Sequence, residues 1–229
     1  MVVLHLADKL LLLALDDEKG NFVTQPFALS YGLSGAILLE LSLKECIKIV
    51  DSKVIVNVRK KLDDVLLNSY LQVLASSKRE RTLQYWVRQF GGKEKEIKEA
   101  IIEKLITHKI VVKRAQKILW IFNNDVFPTV NAKPEKRLRK RLYEIIEYSK
   151  KATIDELMLM GLIDSCKLNT SVYGKERTKR YKSRIKAIIA DIQHEEAIGE
   201  TVKEVHQLIV SMLAVIISTS VAATVVNTN

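Results

Sequence analysis

Four histidines, two cysteines and a glutamate set inside an apolar run, Glu40, are the side chains with which this chain could do chemistry. His5, His108, His194 and His206 stand apart, and none shows the H-x-x-x-H spacing that holds a metal. His194 precedes Glu195-Glu196, yet without a third ligand that group reads as a solvated helix end. Cys46 and Cys166 match no metal or redox spacing and read as reduced core cysteines of a cytosolic protein. There is no nucleophile elbow, phosphate loop or glycine-rich dinucleotide turn. Glu40, in Leu38-Leu39-Glu40-Leu41, reads as a satisfied structural carboxylate. No catalysis, cofactor or metal is expected.

Binding chemistry is better represented. The formal net charge is +10, so the surface should attract polyanions, either nucleic acid or an anionic membrane leaflet. The excess is clustered: six of the nine residues from Lys133 to Arg141 are basic, and seven of the twelve from Lys175 to Lys186. Lys117-Ile118-Leu119-Trp120-Ile121-Phe122 places five apolar residues in a row, where a half-exposed strand should alternate. With Lys113, Arg114 and Lys117 beside it, this segment could wedge into a headgroup layer, an interface that Trp favours. The alternative is a strand buried between helices, with Trp120 as a core anchor.

The elements that would position these groups are mostly helical, since 8 Gly and 3 Pro leave little punctuation and 48% hydrophobic content is ample for a core. Helices are predicted over 4–15, 29–44, 63–76, 81–90, 93–108, 134–149, 155–167 and 177–194, with a long last helix from about Ile198. Hairpins are predicted around Asp51-Ser52-Lys53 and over 110–122, the second turning near Arg114-Ala115-Gln116 and ending at Asn123-Asn124-Asp125. Asn169–Gly174 reads as a polar loop. Leu208–Val226 is long enough to span a bilayer, but its hydroxyl residues favour a core helix of a bundle. No linker divides the sequence, and one domain over 1–229 is expected. The fold class is mainly α: a central helix bundle surrounded by amphipathic helices with short β-hairpins.

The first forty residues carry the most specific pattern. Leu4-His5-Leu6 leads to Leu11-Leu12-Leu13-Ala14-Leu15, then Asp17 and Gly20; Ser30-Tyr31-Gly32-Leu33-Ser34-Gly35 leads to Leu38-Leu39-Glu40-Leu41. A helix apolar on most faces must be buried, and Gly32 and Gly35 share a face that admits another helix closely. These runs resemble the opening signature of the Golgi phosphoprotein 3 family of peripheral membrane proteins. Eukaryotic members carry a basic N-terminal extension linked to coat-protein binding; this chain opens directly on the signature, so the resemblance is to a prokaryotic member.

That resemblance implies recognition of phosphatidylinositol 4-phosphate. The family's headgroup positions fall on Gln25, Ser34, Lys95 and Lys98. Gln25 stands where the family has Trp and Ser34 where it has Arg, while Lys95 and Lys98 replace two arginines with point charges. General binding to anionic membrane lipids is therefore expected over a specific phosphoinositide. The resemblance also implicates the second hairpin, here Lys113, Arg114, Leu119, Trp120 and Phe122, in membrane insertion or self-association to a homo-oligomer. A further implied role is as an adaptor for the cytosolic tails of membrane enzymes. The expected location is cytoplasmic, peripheral to the cytosolic face of a membrane. The rival reading is a winged-helix nucleic-acid binder, with Lys93–His108 in the groove and the hairpin as wing. Glu94, Glu96, Glu99 and Glu103 suit a phosphate-facing helix poorly, so nucleic acid is not the expected partner.

Overall fold

Eighteen residues with a single charged side chain, Pro26–Leu43, form the helix around which the rest is built. The computed structural model of the chain describes residues 3–57, 60–118 and 122–226. The order of elements is α1 (Leu6–Leu13), α2 (Pro26–Leu43), β1 (Ile47–Val50), β2 (Lys53–Val56), α3 (Val65–Ala75), α4 (Leu83–Gly91), α5 (Glu94–Thr107), β3 (Arg114–Ile118), β4 (Phe122–Val126), α6 (Lys133–Tyr148), α7 (Ile154–Ser165), α8 (Asn169–Tyr173), α9 (Lys175–Asp191) and α10 (Glu200–Val226). The fold is mainly α, with two small two-stranded sheets.

α2 is apolar on all sides because it has neighbours on all sides: α1, α4, α7 and α10 pack directly on it. It is the one helix among the described residues with the length and composition to cross a membrane, yet 78% of that stretch is buried within the protein. Both glycines of its signature are contact points. A Cβ on Gly35 would lie 2.7 Å from Ile209 of α10, and one on Gly32 would lie 2.4 Å from the Cys166 thiol at the end of α7. Two different helices thus approach through one pair of small residues.

The first hairpin turns at Asp51-Ser52, both at positive φ, the geometry of a two-residue type I′ turn. The second departs from expectation. Arg114 pairs with Val126 and Ile118 with Phe122, so Arg114-Ala115-Gln116 lies within β3 and Asn123-Asn124-Asp125 within β4. Asparagines read as terminators are paired strand residues, because the hairpin's base is fixed from outside. The Phe127 amide donates to Gly20 and the Thr129 amide to Asp17, tying the strands to the Asp16–Gly20 loop. Gly20 is required there: its φ is +69°, and a Cβ would meet the Phe127–Pro128 backbone at 2.3 Å. Asn169–Tyr173, read as loop, is the short helix α8.

α10 begins near the predicted start and is one helix from Glu200. Val202, Val205, Ile209, Met212 and Leu213 are buried, so its first half is a core element. Cys46 and Cys166 are both free and buried. Cys166 is enclosed by α2, with its thiol donating to the Ala28 carbonyl, and burial pushes its pKa up to about 12.

Candidate functional site

α5 exposes a charged face because Ile97, Ile101, Ile102 and Leu105 turn its other face into the core. Lys95 and Lys98, three apart, are therefore neighbours at the edge of a cleft of about 950 Å³. The opposite wall comes from Asn21, Phe22 and Pro26, and the end wall from Lys113, Asp125 and Phe127 at the hairpin base. The structure thus brings Lys95, Lys98 and Lys113 together, although they come from a helix and a strand entry. The Lys98 ammonium stands 4.2 Å from the centre of the Phe22 ring, a cation–π contact. Gln25 is the exposed N-cap of α2, next to Pro26 in the wall, and its side chain makes no capping bond.

Ser34 is elsewhere. It is fully buried, and its hydroxyl donates to the Val87 carbonyl of α4 at 2.8 Å. The headgroup role that the resemblance implies for Ser34 does not hold: its side chain bonds α2 to α4 and does not line the cleft. Arg114 is exposed at the start of β3. Leu119 and Trp120 lie outside the described residues, as does the side chain of Phe122.

The cleft is not a simple cationic pocket. Its lining sets three lysines against four carboxylates, Glu94, Glu99, Glu103 and Asp125. Each lysine already has a partner: Lys98 and Glu94 at 3.1 Å, Lys113 and Asp125 at 2.7 Å, Lys95 and Glu99 at 3.9 Å. A polyanion entering here must compete with these pairs and also face Glu103, which has no cation within ion-pair distance among the described residues.

Unpaired positive charge lies instead on α9. Lys175, Lys179, Lys182 and Lys186 recur at intervals of four, three and four, which puts them on one face, and all four are exposed. Tyr181, Ile185, Ile188 and Ile192 occupy another face and hold the helix to the body. Among the described residues none of these four lysines has a carboxylate within ion-pair distance. α6 is basic too, but several of its cations are committed: Arg139 to Glu135, Arg141 to Glu156, Lys140 to Glu144. Arg177 of α9 stacks on Tyr143 of α6, which fixes the two basic helices against each other. Between α9 and the hairpin stands one loop. Asp16–Lys19 borders Gly174 and Arg177 on one side and carries the hairpin base through Gly20 on the other.

A group of ionisable residues that the sequence did not signal joins α1, α2, α3 and α5. The His5 ring donates through Nδ1 to the Glu40 carboxylate at 2.9 Å and lies 3.6 Å from Asp64; Lys104 donates to Asp64 at 2.7 Å and to Asp8 at 2.5 Å. Burial pushes the Glu40 carboxyl up, but the bonds from His5 and from the Leu6 amide outweigh it and hold the pKa below the usual value. Burial likewise opposes the charge on Lys104, and Asp64 and Asp8 more than restore it. Glu40 is satisfied, as its position inside an apolar helix suggested. Its partner His5 carried no signal, because the contact is long-range. Among the described residues no group of three or more His, Cys, Asp or Glu is arranged to hold a metal ion.

A family model described as Golgi phosphoprotein 3 (GPP34) matches residues 6–209, which span the cleft, the hairpin and both basic helices.

Proposed function

The chain belongs to the Golgi phosphoprotein 3 family, and from that premise we propose that it is a peripheral membrane protein binding anionic phospholipid headgroups at the cytosolic face. The observation that carries this reading is the α9 face: four exposed lysines in one row, without a carboxylate partner among the described residues. Each lysine near an acidic leaflet contributes about 1 kcal/mol, so the row supplies about 4 kcal/mol. Micromolar affinity needs about 8 kcal/mol. The remainder requires apolar insertion, at ~1.5–3 kcal/mol for each large side chain buried. Leu119, Trp120 and Phe122 are the residues proposed for it. What supports their joint action is the Asp16–Gly20 loop, which borders both the start of α9 and the hairpin base.

Sedimentation with vesicles tests the reading. Binding is expected to phosphatidylcholine vesicles containing phosphatidylserine and to be absent from phosphatidylcholine alone. Reversal of Lys175, Lys179, Lys182 and Lys186 to Glu is expected to abolish it while helix content is retained. Equal binding to both vesicle types would reject the electrostatic core of the proposal. Lys98→Ala in the α5 cleft is expected to change vesicle affinity less than about twofold, since that lysine is already neutralised by Glu94.

A second role is favoured by the cleft's own composition. Mixed charges beside Phe22, Ile102, Ile106 and Phe127 match a short peptide carrying both an apolar and a basic residue better than a polyanion. We propose that the cleft receives the cytosolic tail of a membrane enzyme. Glu103→Lys should then weaken binding of such a tail and leave vesicle binding intact; the opposite pattern would return the cleft to lipid.

A further inference from the structure

A second concavity, of about 440 Å³, runs along α6, and its lining is of a different kind. Lys9 of α1, His108 after α5, and Lys133, Arg137 and Arg141 of α6 form its walls, and among the described residues no carboxylate lines it. The three α6 cations recur at every fourth position, so a single stripe of that helix faces the groove. Leu4, Ile110, Pro134 and Leu138 supply apolar surface between them.

Two of the cations are held from behind. The Arg141 guanidinium donates to Glu156 at 2.7 and 3.0 Å and to the Lys151 carbonyl at 2.7 Å, and the Lys9 ammonium donates to Asp155 at 2.8 Å. Both carboxylates lie in the first turn of α7, outside the lining, so they fix these side chains and offset part of their charge. Lys133 is exposed, with no carboxylate partner among the described residues. α6 also starts at this groove, where the Lys133 amide donates to the Asn131 side-chain oxygen at 3.2 Å and Pro134 has no N–H to offer.

We propose that this groove binds a phosphate monoester attached to a partly apolar body. Arg141 commits its fork to Glu156, so the match rests on the Lys133 ammonium and on the positive field of its neighbours around an apolar strip, which suits the several oxygens of a monoester dianion better than a single carboxylate. The monoester has two possible sources, a membrane headgroup or a soluble phosphate ester, and only the first rests on the lipid-binding reading given above.

The test uses the full chain, isotope-labelled, titrated with inorganic phosphate at constant ionic strength and followed by amide NMR. Saturable shifts are expected at Lys133, Arg137 and His108. Lys133→Glu should weaken the response at least tenfold, while Lys53→Glu on the first hairpin, which lines neither concavity, leaves it unchanged. Should Lys133→Glu disturb folding, Lys133→Gln is expected to weaken it severalfold. Silent groove amides, or an affinity indifferent to both Lys133 variants, would overturn the proposal. Vesicles then assign the source. Severalfold preference for phosphatidic acid over phosphatidylserine at matched charge, lost in Lys133→Glu, assigns the monoester to a lipid; no preference, with the phosphate titration intact, assigns it to a soluble ester. If phosphate saturates the groove while wild-type protein ignores acidic vesicles, the lipid reading fails and the groove stands. If vesicles bind and the groove stays silent, the reverse holds.

Discussion

His206 and Glu135 are buried ionisable residues that pull stability in opposite directions as pH falls. His206 is enclosed between α10 and α7, neither ring nitrogen has a hydrogen-bond partner among the described residues, and burial pushes its pKa down to about 4. Below the ordinary value of 6.5 the unfolded chain takes a proton that the folded one refuses. Stability at His206 is therefore complete above 6.5 and is lost between there and about 4, by ~3 kcal/mol. Glu135 is raised to about 7 by burial and by the neighbouring Asp17 carboxyl, against the pull of Arg139. Its folded form gains the proton first, so its contribution is complete below 4.5 and is lost as pH rises through 7. The two oppose each other between 4.5 and 6.5. His206→Leu should turn the denaturation midpoint upward on acidification in that window, and Glu135→Gln should turn it downward; parallel curves would remove both assignments. Lys104 is a third case. Replacing it by Met leaves Asp8 and Asp64 facing each other without a cation, and we expect a loss of about 3 kcal/mol by chemical denaturation.

Helices in this protein meet at glycines, and the cost of filling one can be read in advance. A Cβ on Gly161 of α7 would lie 2.1 Å from the His206 imidazole of α10. Gly161→Ala should destabilise by about 1–3 kcal/mol, and His206→Ala should recover part of it, a non-additivity that a double-mutant cycle measures. Elements of this kind were legible in the residues: the apolar periodicity, Pro134 at the start of α6 and the small residues at Gly32 and Gly35 all mark helices that exist, with boundaries shifted by one to three residues. The hairpin register was not. Local chemistry at Asn123-Asn124-Asp125 favours a stop, and only the long-range bonds to Asp17 and Gly20 convert those residues into strand. The α5 cleft was half legible. Lys95 and Lys98 were visible as a pair, but their neutralisation requires Glu94, Glu99 and Asp125 to be placed in space, and Ser34 could not be assigned to the core without α4.

For the whole molecule, the consequential property is that charge is distributed by partner and not by count. Ion pairs silence the cations of α5 and many of those on α6, while the α9 lysine row, without a carboxylate partner among the described residues, acts over about a Debye length, roughly 10 Å at 0.1 M salt. Binding to acidic vesicles should therefore fall steeply as salt is raised from 0.1 to 1 M. The residue left at high salt reports the apolar part, which Trp120→Ser should remove; salt-independent binding would contradict the assignment. The central position of α2 carries a different implication, for synthesis. Its last neighbour, α10, is made long after it, a delay on the order of ten seconds at ordinary elongation rates. Through that interval the nascent chain displays an oily rod which passes for a bilayer span in length and composition. A ribosome-tethered fragment ending before Glu200 should accordingly be captured by chaperones or by the insertion machinery, and lengthening it through Leu213 should release it.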